Sequence, residues 1–201
     1  MEAAFQLARA QPSLAHLDFE VIWVPFQLDE SLPIAGVSKI ERYTEKFGAR
    51  FAAMVPTMQA VGRALSPPVE FSYGGLVANT LASHVILEAA LAEGGPQLQD
   101  RVVEKFFSHY FENEGNLGDF SALIRMSAEA GMNESTAAAL LESGSPSAAA
   151  ARAAVAKVEL AARRKYRVSG VPFFVFDDKV AFSGAQDPDA FLDVFEKLAN
   201  E

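Results

Sequence analysis

The chain contains no cysteine among its 201 residues. That absence removes disulfides, thiolate nucleophiles, thiolate metal sites and redox-active cysteine pairs from anything these residues can do. Positive charge is scarce too: 17 Lys and Arg stand against 26 Asp and Glu, a net charge of −9. A sequence-independent nucleic-acid binder needs a basic face to displace counterions, so the balance argues against nucleic acid and against anionic membranes. No apolar run approaches the roughly 18 residues that a bilayer span requires. The start, with Glu2 and Arg9, lacks a basic stretch followed by a long apolar one, so no signal peptide is legible and the cytoplasm is expected. Histidine is sparse as well. Of His16, His84 and His109, His84 has Glu88 at helical spacing, and two ligands do not make a metal site. Neither a phosphate-cradling Gly-x-x-x-x-Gly-Lys-Ser/Thr loop nor a Gly-x-Ser-x-Gly elbow occurs.

What is present is apolar and mostly helical in pattern. Half of the residues are hydrophobic, enough for a substantial core. Ala4, Phe5, Leu7 and Ala8 give a short helical face that Pro12 ends. Leu17–Phe26, LDFEVIWVPF, reads as a strand. It sets Phe19, Val21 and Trp23 on one face and Ile22, Val24 and Phe26 on the other, the pattern of a strand inside a covered sheet. Helices are expected near Val37–Phe47, Ala49–Leu65, Leu76–Glu93, Gln97–Glu112, Phe120–Ala130, Glu134–Leu141 and Pro146–Tyr166. Asp119 and Asn133 are the expected N-caps, and Ser145-Pro146 opens the last of these helices. Arg163, Arg164 and Lys165 fall in its final turn, where the helix dipole favours cations. The remaining residues read as a hairpin, Pro172–Phe176 and Lys179–Phe182 around Asp177-Asp178. Gly184 ends it, and a last helix with Phe191, Leu192, Phe195 and Leu198 on one stripe follows Asp187-Pro188. Without the helical block the order is αβ–ββα; one further strand in front would complete βαβ–ββα.

These residues carry a resemblance. Val168-Ser169-Gly170-Val171-Pro172-Phe173-Phe174-Val175-Phe176, followed by Phe182-Ser183-Gly184-Ala185-Gln186, resembles the C-terminal signature of DsbA-like oxidoreductases of the FrnE type. Trp23-Val24-Pro25-Phe26-Gln27-Leu28, Asn79-Thr80 with His84, and Phe106-Phe107-Ser108-His109-Tyr110-Phe111 resemble the same family in the same order. Relatives in that group include 2-hydroxychromene-2-carboxylate isomerases and kappa-class glutathione transferases.

The resemblance implies an α/β thioredoxin-like fold with a large helical insertion. Residues 1–30 and 167–201 would form the thioredoxin-like part, and residues 31–166 the insertion. It also implies a cis Val171-Pro172 bond, with Val171 offering its backbone to a substrate peptide or to glutathione. The ligand-binding set it suggests is Val171, Pro172, Asn79, His84, Gly184 and Gln186. The family's first strand and its Cys-x-x-Cys have no counterpart in this sequence, so no catalytic residue is assigned and the chain as written is redox-inactive. The expectation is a longer redox protein of which these residues are a part. The alternatives are a glutathione-dependent isomerase-like enzyme, with Ser183, Gly184, Gln186 and Asp187 holding a γ-glutamyl group, or a non-catalytic peptide-binding or homodimerising protein. No cofactor beyond glutathione is implied; the expected partners are a protein disulfide or thiol substrate, or glutathione.

Overall fold

The helical stretches fold much as their pattern suggests, while the strand expected near the start acquires no partner strand. A computed structural model describes residues 1–200. In chain order the elements are α1 (Glu2–Ala10), β1 (Val37–Ser38), α2 (Lys39–Phe47), α3 (Arg50–Arg63), β2 (Leu76–Val77) and α4 (Leu81–Phe107). A π-helical turn (Ser108–Glu112) follows, then α5 (Phe120–Glu129), α6 (Glu134–Leu141), α7 (Pro146–Tyr166), β3 (Phe173–Phe176), β4 (Val180–Ser183) and α8 (Pro188–Ala199). Two compact units result: Met1–Val21 with the chain from Ala161 onward, and Ile22–Leu160.

The first unit is built on phenylalanine. Ala4 and Ala8 of α1, Leu14, and Phe191 and Phe195 of α8 are buried together, with Phe5, Phe19, Phe174, Phe176 and Phe182 packed around them. Phe182 meets Phe191 edge-on at 4.9 Å between centroids, and Phe5 lies 4.6 Å from Phe19. Aromatic contacts of this kind add about 0.5–1.5 kcal/mol each beyond area burial. The small alanines of α1 let the rings approach its backbone. β3 and β4 pair antiparallel with Phe174 opposite Phe182 and Phe176 opposite Val180. Asp177 and Asp178 both adopt positive φ in the turn, which short acidic side chains tolerate. Lys165, in the last turn of α7, pairs with Asp178 at 2.7 Å, and the Tyr166 hydroxyl also donates to it.

The second unit packs α4, α5, α6 and the first part of α7. Its core holds Val85, Ile86, Leu98, Val102 and Phe106 of α4 against Leu123, Met126, Leu141 and Val155. Asp119 caps α5 by accepting from the Ser121 and Ala122 amides, and Asn133 caps α6 by accepting from the Thr136 amide, as their positions suggest. Two helix starts come later than expected. Val37–Ser38 and Leu76–Val77 form a short antiparallel pair instead of opening turns. Ser38 then becomes the N-cap of α2, accepting from the Glu41 amide. The two helices expected at Leu76–Glu93 and Gln97–Glu112 run on as α4 across a sharp kink, with Gly95 at φ +69°, ψ −170°.

Leu17–Phe26 is the clear departure. It forms no ladder; the described residues contain two separate two-stranded sheets, β1–β2 and β3–β4. Its burial nevertheless alternates with a period of two from Leu17 to Val24, odd residues half-buried and even ones exposed. The segment keeps strand periodicity without a strand beside it. Both faces were expected to be covered, yet Ile22 and Val24 are 50% and 52% exposed.

Candidate functional site

The residues singled out from the sequence divide between the two units. Val171, Pro172, Gly184 and Gln186 belong to the first; Asn79 and His84 belong to the second.

In the first unit, Val171 and Pro172 stand immediately before β3, and the peptide bond between them is cis. The Pro172 carbonyl accepts from the Gly184 amide at 2.8 Å, extending the hairpin ladder one step past Phe173 and Ser183. Gly184 reaches that position at φ +84°, a left-handed conformation that glycine adopts without strain. Gln186 donates through Nε2 to the Ser183 carbonyl, which tightens the turn out of β4. Asp187 occupies the N-cap position of α8 with Pro188 after it, and its side chain makes no capping bond. Val171 lies just beyond the ladder. It is 44% exposed, and its backbone makes no hydrogen bond among the described residues.

In the second unit, Asn79 ties a loop to a helix. Its Nδ2 donates to the Glu30 carbonyl and its Oδ1 accepts from the Leu81 amide, both at 2.9 Å. His84 follows within the first turn of α4. Its imidazole is hydrogen-bonded to the backbone of Phe26; burial pushes its pKa below the usual histidine value, and the nearby Glu159 carboxylate partly opposes that shift. Glu88, one turn on, has its carboxyl pushed up by burial. Among the described residues, no group of three or more His, Asp or Glu side chains is placed to hold a metal ion.

Two side chains missed in the sequence organise this region. Gln99, fully buried in α4, accepts from the Trp23 amide at 2.9 Å and donates to the Trp23 carbonyl at 2.8 Å. Glu159, in α7 and 4% exposed, accepts from the Gln27 amide at 2.9 Å. Together with His84 they take backbone groups of Trp23, Phe26 and Gln27 that a neighbouring strand would otherwise pair. Their sequence signal was a polar residue at a core position of an apolar helical stripe. Trp23 adds an indole hydrogen bond to Asp100 at 3.0 Å and an edge contact with Phe107.

A second polar cluster surrounds Lys39. The residue is 2% exposed, and its Nζ donates to the Tyr110 carbonyl at 2.8 Å while lying 3.8 Å from the centre of the Tyr110 ring. Burial lowers the ammonium pKa, against an opposing pull from Glu114. Burial and the nearby Tyr43 hydroxyl raise the phenol of Tyr110. The carbonyl that Lys39 takes lies within the π-helical turn, where the regular helical bonding pattern is interrupted.

Comparison with known proteins bears on the whole of this arrangement. A model of the DSBA-like thioredoxin domain matches residues 3–196. The chain belongs to that family. A probable DsbA oxidoreductase from Streptomyces coelicolor has a similar structure, with a TM-score of 0.80 at 22% identity, covering 100% of this chain and 83% of that one. That likeness shows a shared fold: the α/β thioredoxin fold with a helical insertion expected from the sequence. No curated protein matches the sequence. Disulfide exchange proceeds by thiolate attack on a sulfur, and none of the 201 residues of this chain carries a thiol.

Proposed function

We propose that this DSBA-like domain is of the FrnE type and holds an extended thiol- or disulfide-bearing peptide at Val171-Pro172, without exchanging disulfides through its own residues. The observation that carries the reading is the open backbone of exposed Val171 at the end of the β3–β4 ladder, next to a Pro172 carbonyl already taken by Gly184. A peptide laid beside Val171 would prolong that ladder by main-chain hydrogen bonds, which give affinity with little sequence demand. Membership of the family supports a protein substrate. The absence of cysteine limits the step to binding, since no sulfur of this chain can form the mixed disulfide.

The test is binding of a short extended peptide with a blocked cysteine to the whole chain, followed by calorimetry. Val171→Pro removes the amide donor; it should abolish binding while far-UV circular dichroism stays unchanged. Insulin reduction with dithiothreitol should run at the uncatalysed rate. Catalysed reduction, or binding indifferent to Val171→Pro, refutes the reading. Retention on glutathione-agarose that Gln186→Ala abolishes would move the function to the glutathione-dependent branch instead.

A further inference from the structure

Helix α3 covers a narrow side and exposes a broad one. Phe51, Val55, Gln59 and Gly62 are its buried or half-buried residues. Phe51 meets the rings of Tyr43 and Tyr73 edge-on, and Gln59 donates to the Phe71 carbonyl at 3.1 Å. Every other residue of the helix is exposed. A solvated helix face ordinarily carries charge, yet Phe51–Gly62 carries none. Arg63 follows and pairs with Glu70 at 3.7 Å.

The exposed side is also patterned. Met54, Met58, Val61 and Leu65 are 40%, 37%, 49% and 49% exposed. Hydrogen bonds from the Ala64 amide to the Ala60 carbonyl and from the Leu65 amide to the Gly62 carbonyl keep the chain turning as far as Leu65. At about 100° per residue these four side chains fall within an arc of about 60°. Their spacing of four, three and four residues is that of a coiled-coil seam. Beside them stand Ala53, Thr57, Ala60 and Ala64, small enough to let a second helix approach to about 8 Å. The backbone bonds of α3 close within the helix, so only side chains lie open here.

We propose that this face of α3 pairs with the same face of a second copy of the chain, the two helices running antiparallel. Met54 then packs against the partner's Leu65, and Met58 against the partner's Val61. A seam spaced four, three and four reads the same in both directions, so it closes on itself about a two-fold axis. An uncharged face needs an uncharged occupant, because a charged one would lose its hydration without gaining a partner. The antiparallel arrangement opposes the helix dipoles and sets the two Arg50 residues about 28 Å apart, well beyond the Debye length of about 8 Å. The stripe and its small neighbours expose on the order of 500 Å² per copy, so pairing buries about 1,000 Å², the lower limit for a specific interface. The dimer is therefore weak, with a micromolar dissociation constant. The surface lies wholly in the second unit and stands whether or not the peptide reading at Val171 holds.

Sedimentation equilibrium of the whole chain, from about 1 μM to about 1 mM, tests this. The mass should rise from 21.6 kDa toward twice that value. Added salt should strengthen the association, because two copies of net charge −9 repel each other. Met58→Glu should weaken it about a hundredfold or more while leaving the urea midpoint of the dilute monomer unchanged. Val171→Pro should leave it unaltered. The parent has no cysteine, so introduced thiols report their own positions alone. Under mild oxidation, a mixture of Met54→Cys and Leu65→Cys chains should form the mixed disulfide. Neither variant should cross-link to itself, since like positions lie about 16 Å apart along the helix axis. A constant monomer mass across the range overturns the proposal, and so does a dimer indifferent to Met58→Glu. Self-cross-linking of Met54→Cys overturns the antiparallel pairing. A monomer that binds phosphatidylcholine vesicles through Met58 overturns it in favour of a lipid surface.

Discussion

Replacing Gln99 by leucine tests whether one side chain stands in for a strand. Gln99 is fully buried and makes three hydrogen bonds: from the Trp23 amide at 2.9 Å, to the Trp23 carbonyl at 2.8 Å and to the Leu87 carbonyl at 3.3 Å. Leucine has nearly the same volume, so no large cavity confuses the result. The Leu87 carbonyl keeps its place inside α4 and loses little. Trp23 is left with a donor and an acceptor unmet, and each such group costs about 1–3 kcal/mol when water cannot replace the partner. Relief of burying the glutamine amide offsets part of this, leaving an expected loss of about 2–3 kcal/mol. The protein has a single tryptophan, Trp23 itself, so its emission reports the site directly. Urea unfolding followed by that emission and by far-UV circular dichroism is the assay; two probes are needed because two compact units need not unfold in one step. With an m-value of about 2 kcal/mol/M, the midpoint seen by Trp23 should fall by about 1–1.5 M at constant slope. An unchanged midpoint together with unchanged amide exchange at Trp23 would refute the strand-substitute argument. Gln99→Glu provides a sign control: its acid must face the Trp23 carbonyl, so that variant should be least stable at neutral pH and recover as acid protonates the carboxyl.

Gly95→Ala should destabilise by about 1–3 kcal/mol through backbone strain alone. Gly95 sits at φ +69°, and a Cβ there would meet nothing within 4 Å, so a variant as stable as the parent in urea would contradict the kink geometry. Burial lowers the folded-state pKa of His84, so the unfolded chain binds the extra proton first on acidification. Stability is therefore lost as pH falls below about 6.5, the unfolded value. His84→Asn should shallow that slope between pH 7 and 5 in chemical denaturation, and an unaltered slope counts against burial as the cause. Lys39 carries the same sign at alkaline pH, because its folded pKa is also lowered. Stability should rise as pH climbs toward the unfolded lysine value of about 10.4, before tyrosine ionisation reverses it. Lys39→Met should remove that rise, which a series of unfolding curves at pH 8 to 10 would show.

The helices and caps were legible because their causes are local. Asp119 and Asn133 cap α5 and α6 through amides two or three residues away, and Pro146 opens α7 from its first position. The β3–β4 hairpin and the aromatic stripe of α8 depend on neighbours within a few residues as well, and they too could be read directly. The family resemblance likewise lay in short segments, and it led correctly to the thioredoxin fold with a helical insertion. Leu17–Phe26 has all the composition of a strand, yet a strand exists only when another backbone lies beside it, a non-local condition. Here Gln99, 76 residues away from Trp23, and Glu159, 132 residues away from Gln27, provide the hydrogen bonds instead. The periodicity of α4 and α7 sets Gln99 and Glu159 on apolar stripes, but which backbone their polar groups meet is a product of packing, as is the burial of Lys39 beneath Tyr110. The sequence by itself determined the helices, the hairpin, the family and the absence of thiol chemistry. Tertiary structure alone decided which edge of the chain is satisfied, because a hydrogen bond depends on what folding brings within 3 Å.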